Sequence, residues 1–271
     1  MSKTKLIVDG HVHIYDCYDP EKFFDMAIKN MGKMYSSIYP EDNNFQKILL
    51  FTEGKDNDYF FRFKMNGNLG KQSEYKFENT QEDCSIILLK NGQPICYILA
   101  GRQIVTRENL EVLSIASDQK IEDGLPIEKV VKKLLDNQQI AVLAWGVGKW
   151  FFKRGRLVKD IIEKYHSPYL FVGDSSARPS FWPTPRLYHL AEKYNVGILR
   201  GSDPLPFIEE QNRVGTFGFV IEGDFQVNKP AESFRNILIS NKKGIRYFGY
   251  QDSSVVFLKR QIKMFYRNNI S

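Results

Sequence analysis

The chain has 271 residues, 42% apolar and 26% charged, an ordinary globular balance; the length alone permits one or two domains, and α/β barrels of this size are often one unit. No apolar run nears the ~20 residues that cross a bilayer, and residues 1–8 lead straight into Asp9-Gly10-His11 as a first strand, so neither a membrane span nor a signal peptide is expected. Cys17, Cys84 and Cys96 lie far apart with no C-x-x-C pair, which points to a reducing cytoplasm, and the net charge of +6 reads as a solvated surface.

In chain order, a short apolar strand at 5–8 opens into a loop with His11, His13 and Asp16. Asp19-Pro20-Glu21 has the make-up of a helix start, and the helix from 21 to about 35 places Phe24, Ala27, Ile28 and Met31 on one face. Residues 47–51 form a second buried strand. Strand-like runs come next at 60–64, 75–77, 85–89 and 95–99, with the hairpin dipeptide Asn91-Gly92 between the last two. This stretch, bounded at 57–100, is expected to be an antiparallel insertion. Strands at 101–106 and 110–116 continue it. Alternation then resumes: helix 126–137, strand 140–144, helix 157–165, strand 169–172, helix 185–194 and strand 196–199. Such alternation implies parallel strands with crossover helices, whose ligands gather beyond the carboxyl ends of the strands. A C-terminal amphipathic helix at 250–267 is expected to dock on the body, or on another subunit, through Phe257, Leu258, Ile262 and Phe265.

The residues just beyond each strand are therefore informative. His11 and His13 alternate along an extended segment, so both imidazoles can reach one metal ion. Glu53-Gly54, Arg102-Gln103, Trp145 to Trp150, Gly173-Asp174 to Arg178, and Arg200-Gly201-Ser202-Asp203 stand at the ends of the later strands. Each also has a purely structural reading. Asp203 before Pro204 is good turn chemistry, Asp174 can pair with Arg178, Gln103 can be an edge-strand amide, and the tryptophans suit packing. His166 and His189 fall on helices and read as structural. The cluster Lys149, Lys153, Arg154 and Arg156 is either solvated surface or a mouth that attracts an anion.

Val8-Asp9-Gly10-His11-Val12-His13 resembles the opening metal motif of the PHP (polymerase and histidinol phosphatase) superfamily, and of the wider amidohydrolase class. The later order is nearer PHP. Gly101-Arg102-Gln103 followed by Asp123-Gly124-Leu125-Pro126 is similar to its ligand strand and helix entry. Residues 144–150 occupy the place of its Ala/Pro-His-Pro loop, and Gly201-Ser202-Asp203 matches its closing Gly-Ser-Asp-x-His motif. The resemblance spans roughly residues 5–222 by order of elements. It implies one PHP-like domain over 1–271, a distorted (β/α)7 or TIM-like barrel with an antiparallel insertion.

This sequence departs from the family where Glu53-Gly54 replace an Asp-His pair, Gln103 a ligand Glu, Trp145 the loop His, and Leu205 the last His. The resemblance then implies a single divalent metal (Zn, Mn or Fe) on His11, His13 and Asp203, with Glu53 in support. Asp203 or Asp174 would orient or deprotonate a water, and Lys149, Arg178 and Gln103 would meet a small anionic, phosphorylated substrate. The implied activity is metal-dependent phosphoester hydrolysis. The alternative is a catalytically degenerate relative that keeps the barrel, has lost most ligands and need not hold a metal, and that binds or regulates. An amidohydrolase acting on C–N bonds would want a lysine or further histidines that the strand ends lack. With no recognisable motif for it, nucleic acid is not expected as a partner.

Overall fold

The first strand, β1 (Thr4–Val12), runs through the molecule with its last seven residues buried. Asp19 then caps α1 (Pro20–Ile38), its carboxylate accepting from the Glu21 and Lys22 amides at 3.0 and 3.2 Å, as the Asp-Pro-Glu start implies. The apolar side of α1 buries Phe23, Phe24, Ala27, Met31 and Tyr35. The chain continues through β2 (Phe45–Phe51), α2 (Tyr59–Asn66), β3 (Tyr75–Asn79), β4 (Ser85–Lys90), β5 (Gln93–Leu99), β6 (Gly101–Val105) and β7 (Glu111–Ile115). Next come α3 (Ile127–Asp136), β8 (Ile140–Ala144), α4 (Phe152–Lys164), β9 (Leu170–Ser175), α5 (Arg186–Lys193) and β10 (Gly197–Gly201). The last elements are a 3-10 turn (Ile208–Arg213), β11 (Gly218–Gly223), α6 (Pro230–Ser240), β12 (Arg246–Phe248) and α7 (Ser254–Ile270). This computed structural model describes residues 3–270.

The strands form two mixed sheets and not the closed barrel that the family resemblance implied. One is ordered β12-β11-β1-β2-β5-β4-β3, the other β10-β9-β8-β7-β6. The expectation failed for a physical reason. Only β1-β2-β5 and β8-β9-β10 are parallel runs; β3, β4, β6, β7, β11 and β12 pair antiparallel and extend the sheets outward. One further expectation changes. Residues 60–64 are helical within α2, where Tyr59, Phe60 and Phe63 share a buried face at helical spacing. Within 57–100, β3 pairs antiparallel with β4 and β4 with β5, and β5 joins the larger sheet parallel to β2. The Asn91-Gly92 turn does join β4 and β5, with both residues at positive φ (50° and 76°).

Alternation along the strands of the smaller sheet sorts its residues into two layers. Ile140, Val142, Ala144, Phe171 and Leu199 turn inward to the core shared with the larger sheet. Ala141, Leu143, Trp145, Leu170 and Val172 turn outward to a second core beneath α3, α4 and α5. Each such fully buried Leu, Ile or Phe contributes roughly 1.5–3 kcal/mol.

Helix α7 sits differently from the sequence-based expectation. Only Phe257 of the expected docking residues is half-buried; Leu258, Ile262 and Phe265 face outward, and the residue turned into the body is Arg260. No helix among the described residues is long and apolar enough to cross a membrane.

Candidate metal centre

The two sheets meet where β10, the edge strand of the smaller sheet, crosses β1, an inner strand of the larger one. Gly10 permits this approach, since a Cβ there would lie 2.6 Å from the Arg200 carbonyl oxygen. The Asp203 amide donates to the His11 carbonyl at 2.9 Å, so the turn after β10 is stitched to the end of β1. Asp203 adopts a left-handed backbone, φ 48°, that asparagine and aspartate tolerate better than other side chains do.

This crossing brings His11, His13 and Asp203 to one point. Their ligand atoms lie within 4.8 Å of one another. The two Nε2 atoms are 2.9 Å apart, and Asp203 Oδ1 is 3.6 Å from His11 Nε2 and 3.7 Å from His13 Nε2. Gln103 Oε1 adds a fourth donor atom, 3.1 Å from His11 Nε2. Four N and O ligands set tetrahedrally around a zinc-sized cation stand about 3.3 Å apart, and the measured spacings bracket that value. The donor set therefore fits a small divalent cation. Burial, reinforced by His11, pushes the His13 imidazole down to about 4 against the pull of Asp203 and Gln103, so the ring is neutral and ligand-ready at pH 7. Burial also works to raise the Asp203 carboxyl, but His11, His13, Arg260 and the Ser175 hydroxyl outweigh it and hold it below its ordinary value.

The remaining sequence-predicted residues fall into three places. Gln103 and Lys149 join the centre's surroundings: Gln103 Nε2 donates to Glu111 at 3.4 Å, and Glu111 is ion-paired with Lys149, which keeps the amide oxygen turned to His11. Asp174 and Arg178 form a buried pair, Nε to Oδ1 at 2.8 Å and Nη2 to Oδ2 at 3.0 Å, with the Tyr188 hydroxyl 3.1 Å from Oδ1. They face α5 on the outer layer, because Asp174 shares the parity of Leu170 and Val172. Glu53 caps α2, accepting from the Phe60 amide at 2.9 Å, and lines a cleft of about 650 Å³ with Arg102 and Lys120, apart from the histidines. Trp145 packs in the outer core.

Four residues with no assigned role emerge from the structure. Asp9, on the same side of β1 as His11, accepts from the Ser202 and Gly215 amides at 2.8 and 2.7 Å. Burial pushes its carboxyl up to about 6 in spite of those bonds. Ser175 donates to Asp203 Oδ2 at 2.9 Å, leaving Oδ1 toward the histidines. Glu111 orients Gln103 as above. Arg260 donates to the Asp203 carbonyl at 3.0 Å and pairs with Asp252 and Glu210, each at 2.8 Å. Period-two alternation could have found Ser175 and Glu111; Arg260, 57 residues from Asp203, left no local signal.

No protein-family model and no curated protein matches the chain. Among solved structures it is similar to PsfC from Pseudomonas syringae PB-5123, with a TM-score of 0.55 at 13% identity over 100% of both chains, a likeness of fold. It also aligns with endonuclease Q solved with a 27-mer duplex substrate carrying an abasic lesion at the active site (TM-score 0.45, 9% identity, 89% of this chain). A third alignment is with the lesion-specific endonuclease from Pyrococcus furiosus (TM-score 0.45, 10% identity, 91% of this chain). The chain spans 57% and 58% of those two proteins. The expectation that nucleic acid is no partner is withdrawn: its one ground was the lack of a motif, and backbone-directed binding through charge and shape needs none.

Proposed function

We propose that this chain is a PHP-type, metal-dependent hydrolase of phosphoesters, working with one divalent cation held by His11, His13 and Asp203. The observation that carries the reading is the convergence of His11 Nε2, His13 Nε2 and Asp203 Oδ1 at 2.9 to 3.7 Å, three ligands suited to a tetrahedral ion whose fourth position is left for water or substrate, with Gln103 Oε1 beside them. A divalent cation there supplies Lewis-acid chemistry, lowering the pKa of a water and polarising a phosphoryl oxygen.

The chain's own residues do the rest. His11 and His13 are buried and keep bulk water from the ion's protein side, and burial keeps the His13 imidazole neutral. Asp203 is fixed by Ser175 through Oδ2 and by backbone bonds on either side, which holds Oδ1 ready as ligand or as acceptor for a water's proton. Gln103 supplies oxygen without charge. One carboxylate and two imidazoles, with the uncharged Gln103 beside them, leave a dication net positive, which favours an anionic phosphoester over a neutral amide. The departures from the family's ligand set, Gln103 and Trp145 above all, are consistent with a single ion.

The test is isothermal titration of Zn²⁺ and Mn²⁺ into protein stripped by chelator, with hydrolysis of mono- and bis-p-nitrophenyl phosphate followed in parallel. Saturable binding at one ion per chain, lost in a His11→Ala, His13→Ala double variant, with metal-dependent phenolate release, supports the reading. Binding no tighter than that of the double variant sinks it. Tight binding without turnover of any phosphoester leaves the degenerate, regulatory reading in its place.

A further inference from the structure

Helix α7 meets the body with its charged ridge and turns its apolar stripe to solvent. Arg260 is buried against Asp252, Glu210 and the Asp203 carbonyl, Lys263 pairs with Glu209, and Arg267 donates to the Pro206 carbonyl at 2.8 Å. On the other side Val255, Leu258 and Ile262 are 62%, 58% and 46% exposed, and Phe265 and Tyr266 continue the stripe. Burying apolar surface is the usual reason a helix docks, so this orientation leaves the greater part of its hydrophobic gain unclaimed.

The stripe's spacing says what claims it. Val255, Leu258, Ile262 and Phe265 stand at steps of three, four and three, the a/d pattern of a two-stranded helical seam. That pattern reads the same in both directions, so an antiparallel copy sets Leu258 against Ile262 twice and Val255 against Phe265 twice. The seam's flanking positions within the described side chains are Ser254, Lys259, Gln261 and Tyr266, with one charge among them, so like charges do not oppose self-pairing. A lipid surface fits less well. An interfacial helix presents its basic side chains to headgroups, whereas Arg260 and Lys263 here are already held by acids of the same chain.

We propose that α7 pairs antiparallel with α7 of a second copy about a two-fold axis near residue 260, giving a homodimer with the apolar stripe as its seam. The contact is centred on Leu258 and Ile262. Because Arg260 lies on the opposite side of the same helix and holds the Asp203 carbonyl, dimerisation also steadies the turn that carries the metal ligand.

The experiment is sedimentation equilibrium of the full chain, free of metal, from about 1 to about 200 µM, alongside a Leu258→Glu, Ile262→Glu variant and a control, Val227→Glu, at an exposed position elsewhere. The wild type and the control should rise from 31.6 kDa toward twice that mass, and the seam variant should stay at the lower value with an unchanged circular dichroism spectrum. A wild type that remains monomeric throughout overturns the proposal, as does a seam variant that still dimerises. Flotation with vesicles of anionic lipid, lost in the same variant, together with a monomeric wild type, would assign the stripe to a membrane surface instead.

Discussion

A Cβ on Gly201 would lie 2.2 Å from the His11 backbone nitrogen and 2.4 Å from its Cβ, so this position tolerates no side chain at all while β1 and β10 stay in place. Gly201→Ala is therefore expected to push the two strands apart, and with them the histidines from Asp203. Overpacking of this kind costs about 1–3 kcal/mol, and divalent-metal affinity should fall at least tenfold on the scale of lost outer support. Gly54→Ala, where nothing lies within 4 Å, is the matching control and should leave both quantities near wild type. Urea denaturation and metal titration of the two variants check this. Equal metal affinity in Gly201→Ala would mean that the crossing does not set the ligand geometry.

The carboxylate of Asp9 secures the same crossing from beneath. Among the described residues it has no cationic partner, and its oxygens take the Ser202, Gly215 and His11 amides. Asparagine keeps the shape but turns an NH2 group toward backbone donors. Leaving such a buried donor unpaired costs about 1–3 kcal/mol. Asp9→Asn is accordingly expected to lower stability by that amount and to weaken metal binding, with Asp9→Ala worse in stability. An Asp9→Asn protein as stable as wild type would show that the amide bonds carry no net stabilisation.

These two residues mark what could and could not be read in advance. The strand ends were identifiable, because apolar runs bounded by polar residues locate them, and so was the convergence of His11, His13 and Asp203. The side to which each polar residue turns is harder, since it needs a count along the strand from a residue of known facing. Asp174 and Ser175 are neighbours, yet one lies under α5 and the other bonds Asp203. Counting from Phe171, an inward residue, separates them. The two-sheet arrangement was not readable for another reason: whether a strand pairs parallel or antiparallel depends on partners far off in the chain, as with β1 and β11. Local pattern carries no information on that pairing.

Arg178 provides a direct contrast between a structural and a substrate role. It is buried against Asp174, with Arg200 Nε a second cation 3.4 Å from the same carboxylate. Arg178→Met should destabilise the fold by about 2–4 kcal/mol, somewhat below the usual loss for an orphaned buried charge, because Arg200 and Tyr188 remain. Metal affinity should be unchanged, as should the KM for a phosphoester substrate. A raised KM with unchanged stability would return Arg178 to the substrate.

Lys242 sets a pH dependence remote from the metal centre. Its ammonium reaches the Leu170 and Asn195 carbonyls at 3.3 Å each and sits 4.4 Å from the Phe171 ring centroid. Burial pushes its pKa from 10.5 down to about 8. Below pH 8 folded and unfolded chains both carry the proton, and the fold bears the whole cost of desolvating the charge. Between about 8 and 10.5 the unfolded chain binds more protons than the folded one, so this residue's contribution to stability rises with pH and then levels off. A dry ammonium would yield roughly 3 kcal/mol over that window; the two carbonyls, the ring and the water on its open side reduce this to about 1 kcal/mol. Cysteines and tyrosines titrate in the same range, so the informative quantity is the difference between wild type and Lys242→Met. Met keeps the stem and removes the charge, and its advantage over wild type in urea denaturation should be largest at pH 7 and should shrink by pH 10. Parallel stability curves for the two proteins would mean that Lys242 keeps its ordinary pKa in the fold, with the carbonyls and the Phe171 ring fully offsetting its burial.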